Sequence, residues 1–125
     1  MRSEWTKSNI GAICKKVTSG GTPKVNVKEY YENGHIPWLN TKEVKFNNIW
    51  DTEKKITELA LENSAAKMIP ENSVIVAMYG ATAGKVAVNK LPLSTNQACC
   101  NLIIDEALAD YRFIYYNLSG RTKYL

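Results

Sequence analysis

The sequence predicts a mixed α/β (α+β) domain built on a largely antiparallel sheet with a few short helices. Three observations carry that expectation. The run Ser73 to Tyr79, SVIVAMY, is rich in branched residues, and Lys85 to Val88 follows it across the glycine-flanked segment Gly80 to Gly84, the pattern of two paired strands. Near the end, Tyr111, Ile114, Tyr115 and Leu118 fall at i, i+3, i+4 and i+7, the period of an amphipathic helix. Elsewhere, short apolar segments alternate with turn residues, and no repeat, low-complexity tract or linker interrupts them. With 125 residues there is chain for one hydrophobic core, hence one domain over 1–125.

Cys14 to Ser19 is β-prone and stops at Gly20-Gly21-Thr22-Pro23, which sends the backbone into an irregular loop. Val25 to Tyr31 fits a short strand or a helical turn before an Asn33-Gly34 turn. Ile36 to Leu39 reads as a short edge strand, because Pro37 removes a ladder donor. Thr57 to Ser64 holds good helix formers behind Thr57, a suitable N-cap, and Pro70-Glu71-Asn72 breaks the chain again. Asn101 to Ile104 makes a further short strand. For the last helix, Asp110 is the expected N-cap and Gly120 is placed beyond the end.

Composition narrows the function classes. Apolar residues at 45% with 22% charged fit a folded soluble domain, and no apolar run has the length of a membrane span. The start, MRSEWTKSNIGAICKK, carries charges throughout, so no export signal and a cytosolic location are expected. Cys14, Cys99 and Cys100 are an odd set, best read as reduced, mostly buried thiols. With one histidine, His35, and no C-x-x-C, neither a zinc site nor a catalytic triad can be assembled readily, and His35 is expected at an exposed turn. The glycine-rich segment is no Walker A loop: Gly80 and Gly84 are separated by three residues where four are needed, and Val86 replaces the Ser/Thr that meets magnesium.

The net charge of +4 is unevenly spread. Met1 to Lys28 holds six basic residues and one acid, and no acid occurs between Glu71 and Asp105, where Lys85 and Lys90 stand. Carboxylates gather in Glu53 to Glu71 and Asp105 to Asp110. Such separation either makes a cationic face for a phosphate backbone or is an ordinary solvated surface.

In order, the chain carries S-G-G-T-P-K (Ser19 to Lys24), Tyr30-Tyr31, N-G-H-I-P-W-L (Asn33 to Leu39), I-T-E-L-A-L-E-N-S-A-A-K-M-I-P (Ile56 to Pro70), V-A-M-Y-G-A-T-A-G-K-V-A (Val76 to Ala87) and T-N-Q-A-C (Thr95 to Cys99). This ordered set resembles the target recognition domain of the specificity subunit of type I restriction-modification enzymes, from about Cys14 to about Leu118. The resemblance implies a non-catalytic module that reads double-stranded DNA and needs no cofactor of its own. In the family two such domains, joined by long helices, each read half of a bipartite site. They direct modification subunits, which methylate adenine with S-adenosylmethionine, and a restriction subunit that cleaves with ATP. Because this chain stops at Leu125, it is expected to be part of a recognition domain without the spacer helices.

Within that frame the expected DNA contacts are Lys24, Thr41, Lys42, Lys45, Tyr79, Thr82, Lys85, Asn96 and Gln97. Lysines neutralise phosphates, hydroxyls reach phosphates or base edges, and Asn or Gln amides pair two-pronged with adenine. Each has a plain alternative: the glycine-rich turn as a structural hairpin, Lys24 as a solvated side chain, T-N-Q as a hydrogen-bonded turn. Trp38 is expected in the core, the alternative being an exposed indole that packs near a sugar. Two rival functions find support in single stretches of the chain. Glu53-Lys54-Lys55, with Glu43 or Asp51, mimics part of a magnesium nuclease site, and the Tyr111 to Leu118 helix offers an apolar face for a homodimer.

Overall fold

A computed structural model describes residues 12–123, with side chains through residue 120. Arg2, Glu4 and Lys7, and most of the stretch read for an export signal, lie outside the described residues. In chain order the described elements are β1 (Cys14–Ser19), β2 (Ile36–Leu39), β3 (Asn47–Ile49), β4 (Lys54–Ile56), α1 (Glu58–Glu62), β5 (Val74–Ala77), β6 (Val86–Asn89), β7 (Ser94–Thr95), β8 (Cys99–Ile104) and α2 (Tyr111–Lys123). Short 3-10 turns occupy Lys28–Tyr30, Thr41–Glu43 and Gly80–Thr82.

Where one sheet was expected there are two. The larger has the order β1-β8-β5-β6-β3 and the smaller β4-β2-β7. Pairing is antiparallel except where β3 meets β6 and β2 meets β7. The central strand β5 explains its own sequence: Val74 and Val76 face the cluster under α2, while Ile75 and Ala77 face the cluster on the opposite side with Leu39 and Leu93. A strand covered on both faces needs a continuous apolar run rather than an alternating one. A third cluster, with Trp38, Ile36, Ile56 and Ala60, lies between the small sheet and α1. Trp38 is buried and its indole Nε1 donates to the Gly21 carbonyl at 3.0 Å, so it is a core residue with its polar handle satisfied.

The capping signals hold. Thr57 accepts from the Ala60 amide at 3.2 Å, and Asp110 accepts from the Arg112 amide at 2.8 Å. Arg112 also hydrogen-bonds the Asp110 carboxylate, the largest of the effects that hold it down to about pKa 2. Three expectations need correction. Gly120 does not end the last helix, which runs on to Lys123; an interior glycine weakens a helix by only about 1 kcal/mol relative to alanine. Strand β2 is central, not an edge. Pro37 is tolerated because the β7 ladder begins one residue later, where Ser94 lies opposite Trp38. Of the three cysteines only Cys99 is buried, Cys14 and Cys100 being half-exposed. Burial, above all, pushes the Cys99 thiol up to about 12.

The apolar stripe of α2 is already occupied. Ile114 is buried against Val74, Val88, Leu102 and Ile104, with Tyr111, Tyr115 and Leu118 beside it, so this face is packed within the chain rather than open for a dimer. No helix among the described residues is long and apolar enough to cross a membrane.

Candidate functional site

The strand directions decide where the motifs go. Ser19 lies opposite Cys100, Ala77 opposite Cys99, Val76 opposite Val86, and Asn47 beside Ala87. The finishing ends of β1 and β5 and the starting ends of β8, β6 and β3 therefore share one end of the large sheet. Four segments emerge there: residues 20–24, 40–46, 78–85 and 96–98. All nine expected contact residues lie on them, although they are scattered over more than half the chain.

These segments are braced to one another. The Gly21 amide donates to the Thr95 carbonyl at 3.0 Å, and the Thr22 hydroxyl donates to the Gln97 side-chain carbonyl. The Asn96 amide donates to Leu39 at 3.0 Å and the Met78 amide to Ala98 at 2.9 Å. The Thr41–Glu43 turn packs against the Gly80–Thr82 turn. Close approach explains the first glycine, since a Cβ on Gly20 would stand 1.9 Å from the Thr95 carbonyl oxygen. Gly80 and Gly84 serve differently. Nothing lies within 4 Å of a Cβ built on either, but their φ values of +79° and +89° belong to the left-handed region that glycine alone enters freely.

The turn from Gly80 to Gly84 is closed by Ala77 N–H to Lys85 O, Gly84 N–H to Ala77 O and Lys85 N–H to Thr82 O, all at 2.9 Å. It leaves Tyr79 exposed, with Thr82 and Lys85 half-exposed. Asn40 makes a capping box over the next turn, accepting from Lys42 N–H at 3.1 Å while its own amide donates to Glu43 at 2.9 Å. Lys45 follows, two residues before β3, as Lys85 immediately precedes β6, so both lysines stand on segments at the starting ends of two paired strands. Phe46 is held at φ 60°, a strained conformation for a bulky residue that no local sequence signal announces.

The nine are not equivalent. Lys42 is paired with Glu53 at 3.5 Å, which offsets part of its charge. Asn96 is committed to its own turn, accepting from Ala98 N–H at 3.2 Å and lying 3.4 Å from the Cys99 thiol. Gln97, Lys24, Lys45 and Tyr79 stand exposed. Thr22 escapes sequence reasoning, since it sits inside a motif whose evident chemistry is that of Lys24. Thr95, in the T-N-Q segment also read as a hydrogen-bonded turn, is a buried hub whose hydroxyl accepts from Asn101 at 2.9 Å. The nuclease constellation is engaged otherwise: Glu43 accepts amides from Asn40 and Glu53, and Asp51 pairs with Lys55 at 3.0 Å. The described residues contain no group of three His, Cys, Asp or Glu placed to hold a metal.

This architecture is shared with specificity subunits. The fold matches a chain from a structure of the type I R-M system at a TM-score of 0.59 and 17% identity, over 86% of this chain and 25% of that one. It also matches the HsdS subunit from Thermoanaerobacter tengcongensis at 0.57 and 16%, with the same coverage. The family of the type I restriction modification DNA specificity domain matches residues 2–125, and the chain belongs to it. Among relatives, it is 34% identical over 122 residues to the specificity subunit of the Escherichia coli restriction enzyme EcoR124I/EcoR124II, covering 94% of this chain and 29% of that subunit. It is 29% identical over 138 residues to the MjaIX specificity subunit of Methanocaldococcus jannaschii, covering 98% and 32%. The chain thus spans about 30% of the length of the curated relatives it matches.

Proposed function

We propose that this chain reads a short sequence of double-stranded DNA in the cytosol, as one recognition element of a type I specificity subunit. It performs no chemistry itself and guides the modification and restriction subunits to a half-site. One observation carries the proposal: four separate motif segments, three of them bearing lysine and only one bearing an acid, Glu43, meet at one end of the large sheet and are hydrogen-bonded together there. Lys24, Lys45 and Lys85 supply phosphate contacts that set position, while Gln97, Tyr79 and Thr82 face the base edges. Fixed placement matters because base discrimination depends on hydrogen-bond geometry held to fractions of an ångström.

The test is the salt dependence of duplex binding. Removing one lysine that neutralises a phosphate should make the slope of log K against log salt shallower by about 0.9. Lys24→Ala and Lys85→Ala are expected to do so singly, and additively when combined. Unchanged slopes in both variants would remove these lysines from the interface, and absence of any duplex binding at low salt would end the proposal.

A further inference from the structure

The α2 face of the large sheet is covered unevenly. The helix packs on β5, β6 and the finishing end of β8, but the same face continues past it onto the starting end of β8 and onto β1, where Cys100 and Val17 lie. There an open cleft of about 490 Å³ forms at the motif end of the sheet, with Val17, Cys100 and Met78 as apolar lining, Tyr79 as a wall, and Thr18 and Gln97 at the polar rim. Val17, Met78 and Tyr79 are 51%, 47% and 66% exposed. Three large apolar side chains held open to water beside a polar reading surface mark a place where something apolar is meant to arrive. The surrounding segments, from Asn72 to Ile104, contain no carboxylate, so a polyanion can approach without repulsion from them.

We infer that this cleft takes the 5-methyl group of a pyrimidine presented in the DNA major groove, with Gln97 at its rim addressing the same base pair. The inference rests on the DNA-reading proposal and names one element of its specificity. The major groove displays a single apolar group, the C5-methyl of thymine, and apolar side chains are what recognise it. Cytosine methylated at C5 presents the same group at the same position. Because Thr22 holds the Gln97 carbonyl, the Gln97 NH2 is the group turned outward, and it fits the carbonyl acceptor that thymine presents rather than the amino donor of cytosine.

The experiment uses the full chain and duplexes selected by it from a random pool. In the selected site each thymine is exchanged in turn for uracil, and each cytosine for 5-methylcytosine. At one position the removal or addition of the methyl should change Kd about three- to fivefold, the size expected for burying one methyl group. Weaker binding on uracil exchange identifies thymine; tighter binding on cytosine methylation identifies the modified base. Met78→Ala and Val17→Thr, both at half-exposed positions, should abolish that ratio while leaving the salt slope unchanged. Binding that is indifferent to the methyl at every position, or a ratio that survives both variants, overturns the inference. Failure of the wild-type chain to bind any duplex overturns the DNA reading itself.

Discussion

Substituting Gly20 by alanine isolates the weld between the first and last motif segments. The new Cβ would meet the Thr95 carbonyl oxygen at 1.9 Å and its carbon at 2.5 Å, both backbone atoms. To restore a separation of 3.0 Å the two segments must part by about 1.1 Å. That parting breaks the 3.0 Å bond from Gly21 N–H to Thr95 O and disturbs the 3.0 Å bond from the Trp38 indole to Gly21 O. Each buried bond broken leaves a group without a partner, at about 1–3 kcal/mol apiece, so the expected destabilisation is about 3–5 kcal/mol. In a domain of this size it corresponds to a fall in Tm of about 15–25 °C. Urea denaturation followed by far-ultraviolet circular dichroism measures it. A change below about 1 kcal/mol would show that the two segments are not locked against each other.

Gly84→Ala meets no atom, so only its left-handed backbone opposes it, and a smaller destabilisation of about 1–2 kcal/mol is expected in the same assay. Asn89 is wholly buried and holds Ser73 N–H at 3.0 Å, Pro70 O at 2.8 Å and Leu91 O at 2.9 Å. Asn89→Ala should therefore destabilise by about 3–4 kcal/mol in denaturant titration; a near-neutral result would contradict those bonds. Because the folded pKa of Asp110 is depressed, its contribution to stability is present above the ordinary aspartate value of about 4 and is lost as pH falls toward about 2. Asp110→Asn should flatten the stability profile in that interval and nowhere else. Cys99, with its thiol pushed up to about 12, should resist alkylation at pH 8 until the chain unfolds, unlike the half-exposed Cys14.

What is legible in the sequence is local. The hairpin β5–β6, the caps at Thr57 and Asp110 and the turn at Asn33 follow from patterns a few residues long, and they stand where expected. The failures are long-range. Pro37 argues correctly against a central ladder position, but the short length of β7 removes that conflict, and no local pattern announces it. Gly120 reads as a stop because glycine often ends helices; here the helix simply continues through it. For the candidate site, chemistry picks segments that the fold does bring together, but it weighs their residues by type. Asn96 carries the amide suited to adenine, yet its oxygen is consumed by its own turn, whereas Thr22 looks inert and is the side chain that braces Gln97. Partners 75 residues apart leave no trace in spacing.

The charge pattern gains a geometric meaning from the topology. Glu71 precedes β5 and Asp105 follows β8, so both stand at the end of the large sheet opposite the motifs, where Lys15 and Glu106 share a cleft with them. The acid-free stretch is the part of the chain that travels from that end to the motif end and back twice, out along β5 and back along β6, then out to residues 96–98 and back along β8. With Glu71, Asp105 and Glu106 outnumbering Lys15 in the cleft at one end, and Lys24, Lys45 and Lys85 on the segments at the other, the chain carries an electrical orientation, which turns the motif end toward a polyanion before they touch. Lys15→Ala and Lys85→Ala change the net charge equally, but only the second removes charge from the leading end. In stopped-flow association with duplex DNA at low salt, Lys85→Ala should slow capture more than Lys15→Ala, and the difference should vanish as added salt shortens the screening length below about 10 Å. Equal slowing by the two variants would mean that total charge alone governs the encounter, and the placement of acids along this chain would then have no role in recognition.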